Sequence, residues 1–217
     1  MVTDVFFSSD FHYAHKNLVS GISEWTNKAR CRKFKTLEEH NETLVNNINN
    51  VVKPKNTLYF LGDWSFGGID NILKFRKLIR CENIHFILGN HDDHIYSRQS
   101  SLLGGGSHGF LSIDYYKKVK IDKQSICLFH FPCRGWDKAA KGTWMLHGHC
   151  HGTLASYSSA HIEGSKSWFK KTELFKTMDV GIDTHPKFQP YAFETIRDIM
   201  NKRINLIGID HHGKDDN

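Results

Sequence analysis

The apolar run Ile84-His85-Phe86-Ile87-Leu88 stops abruptly at Gly89-Asn90-His91-Asp92, so one stretch of chain both ends a hydrophobic segment and begins a chemical one. A run this short, bounded by turn formers, predicts a buried strand with the polar tetrad on the loop at its carboxyl end. Open α/β sheets gather their ligands at that edge. Gly89 permits a sharp turn, Asn90 offers an amide oxygen, His91 a nitrogen acid or base, and Asp92 a carboxylate. Such a strand end needs partners from other strands.

The rest of the chain supplies them. Residues 2–9 read as a first strand, which ends in Asp10-Phe11-His12 followed by His15. Alternate residues of an extended segment point the same way, so Asp10 and His12 are expected to face one ion together. Thr36-Leu37-Glu38-Glu39 has the spacing of a capping box, and Leu37, Leu44, Ile48 and Val51 fall on one helical face ahead of Pro54. Residues 57–61 form the next expected strand and lead into Gly62-Asp63-Trp64. Ile69, Ile72, Leu73, Arg76 and Ile79 then mark a second amphipathic helix. Strand, helix, strand, helix, strand predicts an α/β fold. Farther on, residues 110–121 and 125–129 read as antiparallel strands joined by a turn at Asp122-Lys123, the second ending in His130. Residues 143–146 form a short strand that ends in His147-Gly148-His149-Cys150-His151. Strands over 177–182 and 204–209, with a helix over 191–202 between them, complete the pattern.

Five strand ends therefore carry Asp10 with His12, Asp63, Asn90 with His91, His130, and His149 with His151. A lone histidine at a strand end is ordinarily structural, satisfied by backbone or water. Recurrence at successive strand ends is not explained that way. Carboxylate, amide and imidazole together suit Mn²⁺, Fe²⁺, Zn²⁺ or Ni²⁺ better than Ca²⁺.

At 217 residues the chain suits one domain with a full core and no need of disulfides. A formal charge of +6 and a pI near 9.0 fit an anionic ligand such as a phosphoester, a nucleotide or nucleic acid. The five cysteines, scattered and without a CxxC pair, fit reduced thiols in a cytoplasmic setting. Val5-Phe6-Phe7 lies so near Met1 that no secretory leader is expected, and no apolar stretch approaches the ~20 residues of a membrane span.

Asp10-Phe11-His12, Gly62-Asp63, Gly89-Asn90-His91-Asp92, His130 and Gly148-His149-Cys150-His151 resemble, in order, the five motifs of the calcineurin-like metallophosphoesterase superfamily. The setting is similar to small phosphoesterases of bacteria and bacteriophages. The resemblance implies two mixed β-sheets packed as a sandwich flanked by helices, in four layers, as one domain spanning residues 1–217. It also implies two divalent metal ions, with Mn²⁺ first and Fe, Zn or Ni as alternatives. By motif position Asp10, His12, Asp63 and His151 would hold one ion, and Asp63, Asn90, His130 and His149 the other. Asp63 would bridge. Such a pair activates hydroxide for in-line attack on a phosphomonoester or phosphodiester, here of a nucleotide or another small molecule. His91 would protonate the leaving oxygen or stabilise the transition state. Asp92 would act with it, cap the following helix, or do both. Asn90 would also touch the substrate. Trp64 and Asp92 depart from the Asp-Arg-Gly ending and the Glu of protein Ser/Thr phosphatases, which argues against a phosphoprotein substrate.

Some residues keep two readings. Arg134 either clamps a substrate phosphate or is a surface arginine. His147 fits a supporting or core role, Cys150 a filler between ligands, and His15 capping or packing. The segment 153–176 reads as a substrate-side insertion whose Lys166, Trp168, Phe169, Lys170, Lys171 and Lys176 either bind nucleic acid by charge and stacking or form a solvated hairpin. That segment motivates the alternative of a nuclease acting on DNA or RNA. The oligomeric state is left open.

Overall fold

Side-chain alternation along three neighbouring strands divides the apolar residues between two cores. In the computed structural model, which describes residues 4–154 and 175–206, β1 (Val5–Ser8), β2 (Thr57–Phe60) and β3 (Asn83–Ile87) lie side by side and parallel. Phe6, Leu58, Phe60, Ile84 and Phe86 face one way, toward α1 (Leu37–Val51) and α2 (Gly68–Leu78). Phe7, Leu61 and Ile87 face the other way, toward a second sheet. Each such side chain fully buried stabilises the fold by roughly 1.5–3 kcal/mol.

The larger sheet has the order β4-β3-β2-β1-β9, with β4 (Ser112–Asp114) parallel and β9 (Tyr191–Ala192) antiparallel to its neighbour. The smaller has the order β5-β6-β7-β8, made by β5 (Tyr116–Ile121), β6 (Gln124–Phe129), β7 (Trp144–His147) and β8 (Thr177–Asp179). Only β5 and β6 are antiparallel there, so both sheets are mixed. Ile126, Leu128, Trp144, Leu146 and Met178 meet Phe7, Leu61 and Ile87 in one core, closed by Phe193, Ile196 and Met200 of α5 (Phe193–Met200).

The helix α1 begins where the capping residues place it. Thr36 Oγ1 accepts the Glu39 N–H at 3.1 Å, while the Glu39 carboxylate reaches back one residue beyond the cap, to the Lys35 N–H at 2.7 Å. Its buried face is His40, Leu44 and Ile48, with Leu37 and Val51 only half-buried at the edges. On α2, Arg76 is buried and donates to the carbonyls of Gly109, Ile79, Cys81 and Gly106, drawing the glycine-rich loop onto the helix.

Three expected elements differ. The strand over 110–121 is two strands in two sheets, because β4 pairs with β3 and the chain passes through Tyr115 to pair β5 with β6. A stretch of strand-forming residues that continues through Asp114 and Tyr115 does not report that the chain has changed sheets. The helix expected from residue 191 starts at Phe193, since Tyr191 and Ala192 pair with Phe7 and Phe6 of β1. The strand over 177–182 ends at Asp179, and Ile182 lies in a 3-10 turn. The Asp122-Lys123 turn forms as expected, both residues at positive φ, 44° and 67°.

Helices cover the outer face of the larger sheet. On the smaller sheet, Cys127 and Met145 are buried on the outward side, and the Cys127 thiol meets the backbone carbonyl of Asp137, so the connection before β7 lies there. Two mixed sheets with helices are thus formed. Residues 155–174, most of the expected insertion and all but Lys176 of its basic and aromatic set, lie outside the described residues. So does the end of the strand expected over 204–209, whose Ile204 bridges Phe175. Among the described residues no helix is long and apolar enough to cross a membrane.

Candidate metal centre

The sheet ladder continues past the ends of β1 and β2, and this positions the first candidate ligands. Leu61 N–H donates to Ser8, Asp10 N–H to Gly62 at 2.9 Å, His12 N–H to Asp63 at 3.0 Å and Tyr13 N–H to Trp64 at 3.1 Å. The two sheets converge at the same point: Ser9 bridges Gly181 beyond β8, and the Asp10 carboxylate accepts the His149 N–H at 3.0 Å.

The backbone there is unusual. Asp10, His12, Asp63, His149 and His151 all have positive φ, between 47° and 69°. Non-glycine residues seldom adopt this region, and where they do so at a site the surrounding structure must hold them. Alternation in an extended strand is therefore not what brings Asp10 and His12 together. The strand has ended at Ser8, and left-handed turns aim both side chains inward.

The donor atoms converge. Asp63 Oδ2 lies 3.6 Å from Nε2 of His12 and 3.6 Å from Nε2 of His130. Asp10 Oδ1 lies 3.6 Å from His151 Nε2, and the Nε2 atoms of His12 and His151 are 3.1 Å apart with their rings stacked. Two sets of groups suited to hold an ion emerge, Asp10 with His12 and His151, and Asp10 with Asp63 and His130. Asn90 Oδ1 extends the second, 3.0 Å from His130 Nε2 and 2.9 Å from His149 Nδ1. Ligands about 2.0–2.2 Å from a shared ion stand roughly 3.0–3.5 Å from one another, close to the spacings found here.

The hydrogen bonds behind the imidazoles show that the set fits a cation. His130 Nδ1 is 2.6 Å from the Leu61 carbonyl, so Nδ1 carries the proton and Nε2 presents its lone pair to Asn90 Oδ1 and Asp63 Oδ2. Acceptors aimed at acceptors across about 3 Å repel unless positive charge lies among them. Burial is the largest influence on Asp10 and pushes its carboxyl up to about 7 despite His151 and the 2.5 Å hydrogen bond from Ser9. Burial likewise drives His12 far below, and His130 below, the usual imidazole range, which favours the neutral rings that ligate metals.

Glycines let the ligand loops close. A Cβ on Gly89 would sit 2.3 Å from Asp63 Oδ1, and one on Gly148 would sit 2.3 Å from Ser9 Oγ and 2.5 Å from Asp10 Oδ2.

Not every expected residue enters the cluster. Asp92 heads the short α3 (Asp93–Tyr96) but makes no side-chain cap; its buried carboxylate accepts the N–H groups of Asp63, Trp64 and Gly89 instead. Burial pushes it up to about 7, the Asp63 charge adding to the effect. His91 is exposed at the rim, its N–H on Asp63 Oδ1 at 3.0 Å and its ring beside Phe66 and His12. Arg134 is exposed and makes no hydrogen bond or ion pair with a described residue. His15 packs on Phe66, and His147 is buried against the Gly148 carbonyl. Sequence reasoning missed Asp183, Arg32, Ser9 and His40. Asp183 contacts His151 Nδ1 at 2.7 Å and is paired with the buried Arg32. Burial opposes its charge, yet Arg32 and His151 hold its carboxyl well below the usual range. No ligand motif marks these residues: Ser9, Arg32 and Asp183 lie outside the regular strands and α-helices, and His40 is on the buried face of α1.

No family model matches the chain. It is 32% identical over 149 residues to the uncharacterized protein MJ1445 of Methanocaldococcus jannaschii, covering 68% of this chain and 69% of that one. It is 27% identical over 174 residues to the Gene 66 protein of Mycobacterium phage L5, covering 70% of this chain and 80% of that protein. The crystal structure of AQ665 from Aquifex aeolicus, a protein of unknown function, overlays with a TM-score of 0.63 at 20% identity. That overlay covers 91% of this chain and 99% of AQ665, so the two share a fold. With identity and coverage of this extent, the chain belongs to the family of MJ1445 of M. jannaschii.

Proposed function

We propose that this chain is a phosphoesterase dependent on two divalent metal ions, hydrolysing a phosphomonoester or phosphodiester of a nucleotide or another small molecule. The observation that carries the proposal is Asp63 Oδ2 standing 3.6 Å from both His12 and His130, beside two clusters of donor atoms that share Asp10, one with His12 and His151 and one with Asp63 and His130. Asp10, His12 and His151 would hold one ion, Asn90, His130 and His149 the other, and Asp63 both. When bound, such a pair supplies Lewis acidity toward phosphoryl oxygens and lowers the pKa of water. Manganese is the first choice of metal, with iron, zinc and nickel next.

The chain's own residues do the rest. Only Asp10 and Asp63 bring negative charge to the ligand set, so the loaded centre stays net positive and attracts an anionic ester. His91, exposed at the rim with its N–H on Asp63 Oδ1, would hold a proton at the leaving oxygen. Asp92 acts behind the loops, fixing the backbone of Asp63. Arg134, free of intramolecular partners among the described residues, supplies a cation for an outer phosphate oxygen. The cysteines are free thiols, consistent with a reducing, cytoplasmic location.

Stripped protein reloaded with manganese, iron, zinc or nickel is expected to turn over chromogenic phosphate mono- or diesters. Chelation and Asp63→Asn should each abolish that turnover. Turnover left undiminished in both the chelated wild type and Asp63→Asn would overturn the proposal.

A further inference from the structure

Arg32 is only 6% exposed, yet each of its five N–H donors has a partner. Nε and Nη2 fork onto the Asp183 carboxylate at 2.8 and 2.7 Å. Nη2 also reaches the Asp10 carbonyl at 2.6 Å, and Nη1 the Phe11 carbonyl at 2.7 Å and His40 Nε2 at 2.8 Å. One buried guanidinium thus grips the backbone of the first ligand loop and the carboxylate behind a ligand from another loop. Asp183 Oδ2 accepts in turn from His151 Nδ1 at 2.7 Å. That bond fixes the His151 tautomer, and Nε2 is left facing Asp10 Oδ1 at 3.6 Å and His12 Nε2 at 3.1 Å.

We propose that Asp183, locked by Arg32, is a positioning residue for the metal ligand His151. The inference rests on the metal-centre reading above and assigns to it two residues outside the ligand motifs. A packing role alone would not require the carboxylate to point its second lone pairs at an imidazole whose far nitrogen joins the cluster. A carboxylate behind a ligating imidazole strengthens and orients the ligand, and its removal weakens metal binding by about 10- to 100-fold. The fork of Arg32 Nε and Nη2 prevents Asp183 from turning away.

The test is Co²⁺ affinity, measured by competition with a chromogenic chelator and by the cobalt absorption band, in the full-length protein. Asp183→Asn is expected to weaken cobalt binding by about 10- to 100-fold and to shift the band. The same substitution made in His151→Ala should have no further effect, because the ligand it orients is gone. Arg32→Lys, which keeps the charge and loses the fork, should weaken binding, and by less when His151 is absent, since only the part carried through Asp183 depends on that ligand. Unchanged affinity in Asp183→Asn, or an equal loss with and without His151, would overturn the inference. Should Asp183→Asn fail to fold, the Arg32→Lys and His151→Ala cycle decides by the same criterion. A wild type that takes up no cobalt refutes the metal-centre reading itself, and the positioning role with it. Normal uptake without coupling refutes the positioning role alone.

Discussion

Asp92 Oδ2 accepts the backbone N–H of Asp63 at 2.7 Å, so the residue that would bridge two ions is held by a carboxylate from the next strand's loop. The same carboxylate takes the N–H groups of Trp64 and Gly89 at 3.1 and 2.7 Å. Asp92→Ala strands the two buried donors of Asp63 and Trp64 and the half-buried one of Gly89. It is expected to lower the stability of the metal-free protein by roughly 3–5 kcal/mol. Denaturant unfolding measures this, and a loss below about 1 kcal/mol would show that the loops stand without the brace.

Gly89 and Gly148 each lie against a carboxylate of the cluster, and a methyl group at either would overlap Asp63 Oδ1 or Asp10 Oδ2. Gly89→Ala should displace Asp63 and reduce uptake of both ions. Gly148→Ala should displace Asp10 and its Ser9 partner. Each is expected to weaken Mn²⁺ binding by at least about tenfold, the scale of a disturbed ligand shell. Far-UV circular dichroism should stay near wild type. Wild-type metal titrations from both variants would contradict this account.

His130 and His149 flank Asn90 but differ in burial: His130 is fully buried with its Nδ1–H on the Leu61 carbonyl, whereas His149 is exposed. His130→Ala should cost the metal-free fold about 2–4 kcal/mol through a cavity and an unpaired carbonyl. His149→Ala should leave that fold within about 0.5 kcal/mol. Both should lose metal from the Asn90 side. Calorimetric melting with and without metal separates the two effects, and equal destabilisation of the stripped proteins would refute the distinction.

His40 gives the metal-free fold a pH dependence. Burial first, and Arg32 second, pull its pKa from 6.5 down to about 4. Between those values the unfolded chain binds a proton that the folded chain refuses. Its contribution to stability is therefore present above about 6.5 and lost as pH falls toward about 4. His40→Gln keeps an acceptor for Arg32 and removes the titration, so its urea midpoint should fall less steeply across that window. Parallel curves for wild type and variant would exclude His40 as the group responsible.

Strand and helix alternation was legible because it is local: Leu58 and Phe60 or Leu44 and Ile48 declare a shared face by spacing alone. The types and order of the candidate ligands were legible for a similar reason, since each follows directly on an apolar run. The change of sheet at Tyr115 was not, because pairing partners are chosen across space. Nor was the left-handed backbone that aims Asp10 and His12 inward, for which alternation offered a simpler but mistaken route.

The amino-acid order alone thus determined which chemical groups stand at the strand ends. Only the tertiary structure decided how they are held: Arg32 meets Asp183 across 151 residues, and Asp92 turns from its own helix to the backbone of Asp63. The physical reason is that periodicity specifies which side chains share an element. The partner of a buried charge is instead set by whichever loops the packed sheets bring within hydrogen-bonding distance.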